Sequence, residues 1–198
     1  MDVVLTGFGQ FNGVADNPTT HLVAALKPLL PSVAEGVVLC ESAVLTVAAL
    51  DALSFVRDAE RGSKPGRRRL WLHLGVAASR HKMSLERTAF NEAHFRVCDE
   101  RGWAPDRLPI DAKAGGTEVC RKCVLPLEKI CSSLEELFPG HVEVSDDAGR
   151  FLCNYIYFVS LEKNVSLFVH VPPFEQMAKE VQVKILCQLV ALIAKTEW

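Results

Sequence analysis

Short runs of apolar residues, each bounded by turn-forming residues, recur along the chain. Within each run the apolar positions are nearly continuous, which is typical of strands buried on both faces of a mostly parallel sheet. We therefore predict strands at residues 2–8, 36–47, 68–76, 141–145 and 166–171.

Segments with helical periodicity lie between these runs. We predict helices at residues 17–30, 47–60 and 116–138, from about residue 151, and at 174–198. Pro126 either divides the third segment into two helices or lies near a first turn. In the last segment, apolar residues follow the spacing of a helix with one face in the core: Phe174, Met177, Ala178, Val181, Ile185, Leu189 and Leu192.

Strands that alternate with helices predict an α/β protein. We expect a three-layer α/β/α sandwich around a mostly parallel sheet, in a single domain that spans residues 1–198. Residues 77–115 are the most polar and least periodic stretch, and we expect irregular structure there. Sheets of this class bind ligands at the carboxyl ends of their strands, so residues just after a strand are the candidates for a functional site.

Charge and composition exclude several classes of partner. The formal net charge is −2, which favours neither nucleic acid nor anionic membranes. The basic run at residues 61–69 contains Gly and Pro, which predicts a solvated loop before a strand. No run reaches ~18 consecutive apolar residues, and the N-terminus lacks a basic segment followed by an apolar one. We therefore expect a soluble, cytosolic protein that binds neither nucleic acid nor membrane.

Cysteine usage agrees with a reducing compartment. The seven cysteines are scattered through predicted strands and helices and do not frame short loops. This distribution indicates reduced thiols and no disulfide scaffold.

The loop after the first strand, TGFGQFNGVADNP, carries two aromatic residues, Phe8 and Phe11. A phosphate-binding P-loop would need a lysine after the glycines, and this loop has none. Aromatic side chains at the ligand-binding edge suit a flat, uncharged ring. Alternatively, both rings close the end of the sheet as core residues.

Cys153 lies in the first turn of a predicted helix, directly after a polar, glycine-containing turn. A helix N-terminus and an adjacent imidazolium both lower the pKa of a thiol, which favours the nucleophilic thiolate. The alternative is that this cysteine is a small buried hydrophobic residue, as most cysteines are.

Two further residues are placed to work with that thiol. His170 ends a predicted strand directly before two prolines, and Glu86 follows another strand toward the same edge. The set supplies a nucleophile, a base and a group that orients the base. Taken singly, His170 is equally explained as a core histidine and Glu86 as a solvated helix carboxylate.

Four stretches, in this order and spacing, resemble the type I pyroglutamyl peptidases, also called pyrrolidone-carboxylate peptidases: TGFGQFNGVADNP, LERTAFN, DAGRFLCNYIYF and FVHVPP. The resemblance spans nearly the whole chain and is loose between about 97 and 125. It implies an α/β/α sandwich that removes N-terminal 5-oxoproline (pyroglutamate) from peptides through a thioester, with no metal and no organic cofactor. It places the nucleophile at Cys153, the base at His170 and the triad carboxylate at Glu86.

The resemblance also implies a substrate pocket. It places the ring-binding aromatic residues at Phe8 and Phe11, and further pocket positions at Asn17, Arg96 and Phe151.

Three positions depart from the family pattern. Gln10 and Asn12 replace a more usual proline and glycine in the first loop. Val76 stands at a pocket position where bacterial members often carry a ring-binding glutamine. We expect these departures to change the fine geometry of the pocket and to leave the triad in place.

Two rival interpretations remain open at this point. The sequence CRKC places Cys120 and Cys123 at a spacing used by zinc and redox sites, but there is no second such pair. The second rival interpretation is that the protein is a family member that has lost its activity and acts as a binding protein. The sequence leaves open whether the protein is a monomer or a homo-oligomer.

Overall fold

A six-stranded sheet forms the centre of the protein in the computed structural model, which describes residues 1–62 and 66–198. The strands are β1 (Asp2–Phe8), β2 (Val38–Leu45), β3 (Arg69–Val76), β4 (Met83–Glu86), β5 (Thr88–Phe90), β6 (Cys120–Lys122), β7 (Val142–Ser145) and β8 (Val165–Val171). The helices are α1 (Pro18–Leu29), α2 (Ala49–Arg61), α3 (Leu127–Leu137), α4 (Leu152–Ser160) and α5 (Lys179–Lys195), with a short 3₁₀ turn at Leu30–Ser32.

The order of strands in the central sheet is β2-β1-β3-β8-β4-β7. Strands β2, β1, β3 and β8 are parallel, β4 runs antiparallel to β8, and β7 pairs parallel with β4. Helices α1, α3 and α5 pack together on one side and α2 packs with α4 on the other. The predicted three-layer sandwich with a mostly parallel sheet is therefore confirmed.

All five predicted strands are present. Strands β1, β3 and β8 form the middle of the sheet and are buried along almost their whole length. Their continuous apolar runs are what burial on both faces requires. Strand β2 lies at an edge of the sheet and is largely exposed, although its sequence is similarly apolar.

Three short strands were not predicted. Strand β4 has four residues and joins the central sheet, whereas β5 and β6 have three residues each and form a separate antiparallel pair. Segments this short carry too few positions to show a period. Irregular structure was predicted at 77–115; β4 and β5 lie within that stretch, and residues 91–115 are irregular as predicted.

The third predicted helix is wrong in its first part. Residues 120–122 form β6, and the helix begins at Leu127 with Pro126 at the N-cap. Pro126 therefore lies next to the first turn and does not divide two helices. Proline is tolerated there because the first N–H groups of a helix have no intrahelical acceptor.

The last helix begins later than predicted, at Lys179. Phe174, Met177 and Ala178 precede it, so the predicted stripe describes its buried face only at Ile185 and Leu189. Val181 and Leu192 are only half-buried. The buried residues of the helix are Gln182, Ile185, Leu186, Leu189, Val190, Ala191 and Ile193.

The sequence also predicted a solvated basic loop and the absence of a membrane-spanning segment. The basic run at 61–69 falls partly at residues 63–65, which lie outside the described residues. Across residues 1–62 and 66–198, no helix has both the length and the apolar composition that a membrane crossing requires.

Candidate active site

Cys153 and His170 meet at the carboxyl ends of β3 and β8. His170 lies beside Gly75 in the register of the two strands. Cys153, in the first turn of α4, lies against the same position in the sheet. A Cβ atom added to Gly75 would lie 2.9 Å from the Sγ of Cys153. The missing side chain of Gly75 thus provides the space that the thiol occupies.

Glu86 orients the imidazole from the other side. Its Oε1 lies 2.7 Å from His170 Nδ1, and its side chain is completely buried. Glu86 ends β4, which runs antiparallel to β8. The alternative of a solvated helix carboxylate is therefore wrong, because Glu86 is a buried strand residue.

This contact fixes the tautomer of the histidine. An ionised carboxylate can only accept hydrogen bonds, so Nδ1 of His170 carries a proton. The other ring nitrogen, Nε2, is then the atom left to exchange a proton with the thiol.

The charge state of His170 follows from its neighbours. Burial alone disfavours the imidazolium, but the side chains of Cys153 and Glu86 outweigh it and raise the pKa of His170 to about 9. The protonated imidazole is therefore favoured at neutral pH, with the carboxylate of Glu86 beside it.

Arg80 is a functional candidate that sequence reasoning missed. Its Nη1 donates to Glu86 Oε1 at 2.7 Å, and its Nη2 donates to the carbonyl of Asp147 at 2.8 Å. It thereby supplies a positive charge to a buried carboxylate and ties that carboxylate to the loop before α4. An arginine six positions before the candidate carboxylate was the available signal, but a polar segment gives no reason to select it.

The start of α4 has no side-chain cap. Phe151 occupies the N-cap and makes no side-chain hydrogen bond to the helix. The N–H groups of the first turn, including that of Cys153, are thus left to an incoming negative charge. Buried Asn154 holds the neighbouring segment by accepting from Phe90 N and donating to the Phe90 and Glu92 carbonyls.

A cavity of about 600 Å³ lies beside these residues. Phe11 and Phe151 form its aromatic part, with ring centroids 6.2 Å apart, and Arg96 also lines it. Phe95 packs edge-on against Phe151 at 4.7 Å and supports that ring from behind. Phe151, the N-cap residue of α4, connects this cavity to the helix that carries Cys153, although Cys153, His170 and Glu86 are not among its lining residues.

The family model of the pyroglutamyl peptidases matches residues 1–185. The chain belongs to the pyroglutamyl peptidase family. Among its curated relatives, the pyrrolidone-carboxylate peptidase of Pyrococcus furiosus is 30% identical over 180 residues, which cover 87% of this chain and 81% of the relative. That of Vibrio parahaemolyticus is 30% identical over 185 residues, covering 90% and 81%.

Solved structures of the same family have the same fold. A mutant pyrrolidone carboxyl peptidase from Pyrococcus furiosus superposes with a TM-score of 0.83 at 26% identity, covering 99% of this chain and all (100%) of the other. The pyrrolidone carboxyl peptidase of Fervidobacterium islandicum gives a TM-score of 0.85 at 23% identity over 98% of this chain and 99% of that one.

The predicted pocket residues of this family member fall into two groups. Phe11, Arg96 and Phe151 line the cavity, whereas Phe8, Asn17 and Val76 do not. Phe8 is only 4% exposed and packs in the core at the end of β1. Val76 is half-buried at the end of β3, directly after Gly75.

The side chain of Asn17 is occupied within the protein. It donates to the Gly9 carbonyl at 2.9 Å and accepts from the backbone N–H of Thr19 at 3.0 Å. It therefore caps α1 and fixes the first loop to that helix. In the same loop Asn12 has a φ of 24°, in the left-handed region where asparagine is tolerated better than most residues. This explains how asparagine can replace the family's usual glycine.

Cys120 and Cys123 do not form a shared site. Cys120 is exposed on β6, whereas Cys123 is buried, and burial raises the pKa of its thiol to about 11. Within residues 1–62 and 66–198, no group of three or more His, Cys, Asp or Glu side chains is placed to hold a metal ion. A buried thiol with a raised pKa is also a poor redox nucleophile.

Proposed function

We propose that this protein is a cysteine exopeptidase that removes N-terminal pyroglutamate from peptides, with Cys153 as nucleophile, His170 as acid and base, and Glu86 as the group that orients His170. The observation that carries the proposal is the position of His170, which contacts the carboxylate of Glu86 on one side and Cys153 on the other. Family membership supports the choice of substrate.

The first half of the reaction forms a thioester. The Cys153 thiolate attacks the carbonyl carbon that joins pyroglutamate to the next residue, and the tetrahedral oxyanion accepts hydrogen bonds from the N–H groups at the start of α4. The C–N bond then breaks as His170 transfers its proton to the departing amine. A protonated His170 at neutral pH is the state that this step requires.

The second half regenerates the enzyme. His170, now neutral, removes a proton from a water molecule that attacks the thioester carbonyl. The C–S bond breaks, pyroglutamic acid leaves, and the Cys153 thiolate and the protonated His170 are regenerated. Glu86 keeps the imidazole in one orientation throughout.

Substrate selection is assigned to the aromatic residues. Pyroglutamate has an uncharged lactam ring, so a pocket of aromatic side chains binds it without having to desolvate a charge. Phe11 and Phe151 line the cavity at the start of α4 and fit this role, while Phe8, Asn17 and Val76 would shape the pocket from the first loop and β3. Proline carries an ammonium group, whose burial without a partner is costly.

Release of a fluorophore from a pyroglutamyl amide, with the matching prolyl amide as control, tests the proposal. We expect turnover of the pyroglutamyl amide, no measurable turnover of the prolyl amide, and loss of activity in Cys153→Ala. If the pyroglutamyl amide binds but is not cleaved, the protein is an inactive member of the family. If both amides are cleaved equally, the proposed pocket is wrong.

A further inference from the structure

The cavity at the start of α4, which Phe151 lines, is larger and more charged than a pyroglutamate ring alone requires. At about 600 Å³ it lies within the range of pockets that hold drug-sized ligands. Its aromatic part is at Phe11 and Phe151, and the remaining lining is charged: Glu92, His94, Arg96, Arg107, Asp147 and Arg150.

The acidic side chains of the cavity are already paired. Arg150 Nε donates to Glu92 at 3.0 Å and Arg150 Nη1 donates to Asp147 at 2.8 Å. The Arg150 guanidinium also stacks on the ring of Phe90, with 3.9 Å between its Cζ and the ring centroid. These contacts fix Arg150 and use its charge within the protein.

Two positive charges remain for a ligand. Within residues 1–62 and 66–198, the side chain of Arg96 makes no ion pair and no hydrogen bond. Arg107 lies 4.0 Å from Glu92, at the limit of an ion pair, and its side chain is 76% exposed. The lining thus carries three arginines against two carboxylates, and His94, which also lines the cavity, lies 2.9 Å from the exposed carboxylate of Asp106.

The backbone holds Arg107 at the cavity in spite of a strained conformation. Its φ is 51°, in the left-handed region that arginine rarely adopts. The next residue, Leu108, exchanges two backbone hydrogen bonds with Ala93, at 2.8 and 3.0 Å. This pairing fixes the segment that carries Arg107 beside the segment that carries Arg96.

We propose that this cavity is the subsite for the residue after pyroglutamate, and that Arg96 and Arg107 select a carboxylate there. The proposal rests on the proposed function, because the ring must occupy the aromatic part for the leaving peptide to reach the arginines. A carboxylate can come from an acidic side chain directly after pyroglutamate or from the free C-terminus of a pyroglutamyl dipeptide. Arginine suits both, because its guanidinium matches a carboxylate with two hydrogen bonds.

The test compares peptides that differ in one charge. The kcat/KM is measured for pyroglutamyl-Glu, pyroglutamyl-Gln and pyroglutamyl-Lys, all with amidated C-termini, and for pyroglutamyl-Ala with a free or an amidated C-terminus. The first series reports a side-chain carboxylate and the second a terminal one. An exposed ion pair changes a binding constant by up to about fivefold. In one of the two series we therefore expect the peptide with the additional carboxylate to have a kcat/KM about two- to fivefold higher than its uncharged counterpart, and we expect the lysyl peptide to have a lower kcat/KM.

Variants identify the residues responsible. In the double variant Arg96→Gln, Arg107→Gln the preference should disappear, and in the wild type it should weaken at high salt. Arg61→Gln is the matched control, since it removes the same charge from the far end of α2, where Arg61 pairs with Asp58. The preference of Arg61→Gln for the acidic peptides, measured as the ratio of kcat/KM values, should equal that of the wild type.

Binding to Cys153→Ala, measured by calorimetry with the same peptides, separates this proposal from the catalytic one. Turnover without any preference for a carboxylate overturns the subsite and leaves the peptidase proposal standing. Absence of turnover together with tighter binding of the acidic peptides supports the subsite and overturns catalysis. A preference that persists in the double variant also contradicts the assignment to Arg96 and Arg107.

Discussion

Gly75→Ala should disable the nucleophile while leaving the fold in place. The added Cβ would lie 2.9 Å from Cys153 Sγ and 2.6 and 2.8 Å from two ring atoms of Phe168. Carbon atoms pack at about 3.5–4.0 Å, so both neighbours must move by up to about 1 Å. Adding a methyl group to a packed core costs about 1–3 kcal/mol, and a 1 Å displacement of a reacting group lowers the rate about 100-fold.

Three measurements on Gly75→Ala check this reasoning: kcat on a pyroglutamyl amide, the rate of alkylation of Cys153, and the free energy of unfolding. We expect kcat to fall about 100-fold and unfolding to become easier by about 1–3 kcal/mol. Gly62→Ala is the control, because the nearest atom to a Cβ there is 3.7 Å away. A folded Gly75→Ala protein with the kcat of the wild type would refute the placement of the thiol over this glycine.

The remaining predictions concern the groups around the thiol. Because the pKa of His170 is raised to about 9, the imidazolium that protonates the leaving amine is lost above that pH, so kcat/KM should fall on the alkaline side; a plateau extending well above pH 9 would contradict this. Arg80→Gln removes the positive charge that contacts Glu86, so the carboxylate stabilises the imidazolium of His170 more strongly; the alkaline limb of the pH profile should move to higher pH and kcat should fall. Arg80→Lys should return the limb to its wild-type position. An alkaline limb that does not move in Arg80→Gln would show that Arg80 has only a packing role. Phe11→Ala should raise KM for pyroglutamyl amides and leave prolyl amides poor substrates, since a larger pocket still offers no partner to an ammonium; unchanged kinetics would make Phe11 a core residue.

The central strands could be predicted from the sequence because burial on both faces leaves a continuous apolar run. Strand β4 could not, since a four-residue segment has no measurable period and its pairing with β8 is decided by tertiary contacts. The start of α5 was misplaced for a related reason. Apolar residues at 174, 177 and 178 continue the helical spacing, yet they precede the helix.

The candidate site was partly predictable for the same kind of reason. Cys153 and His170 lie at the ends of elements with strong patterns, so their common edge of the sheet could be anticipated. Arg80 could not be found, because only the folded chain brings its guanidinium to Glu86 and to the Asp147 carbonyl. Phe8 was predicted to line the pocket because it lies at the end of the first strand. In the structure its side chain is only 4% exposed and packs in the core.

The most direct test of the account is to trap the thioester. Protein quenched with acid during turnover of a pyroglutamyl amide is digested, and the peptides are examined by mass spectrometry. The account predicts a pyroglutamyl group attached to Cys153 and to no other of the seven cysteines, and no adduct in Cys153→Ala. Continued turnover by Cys153→Ala, or an adduct on a different residue, would contradict the claim that Cys153 is the nucleophile.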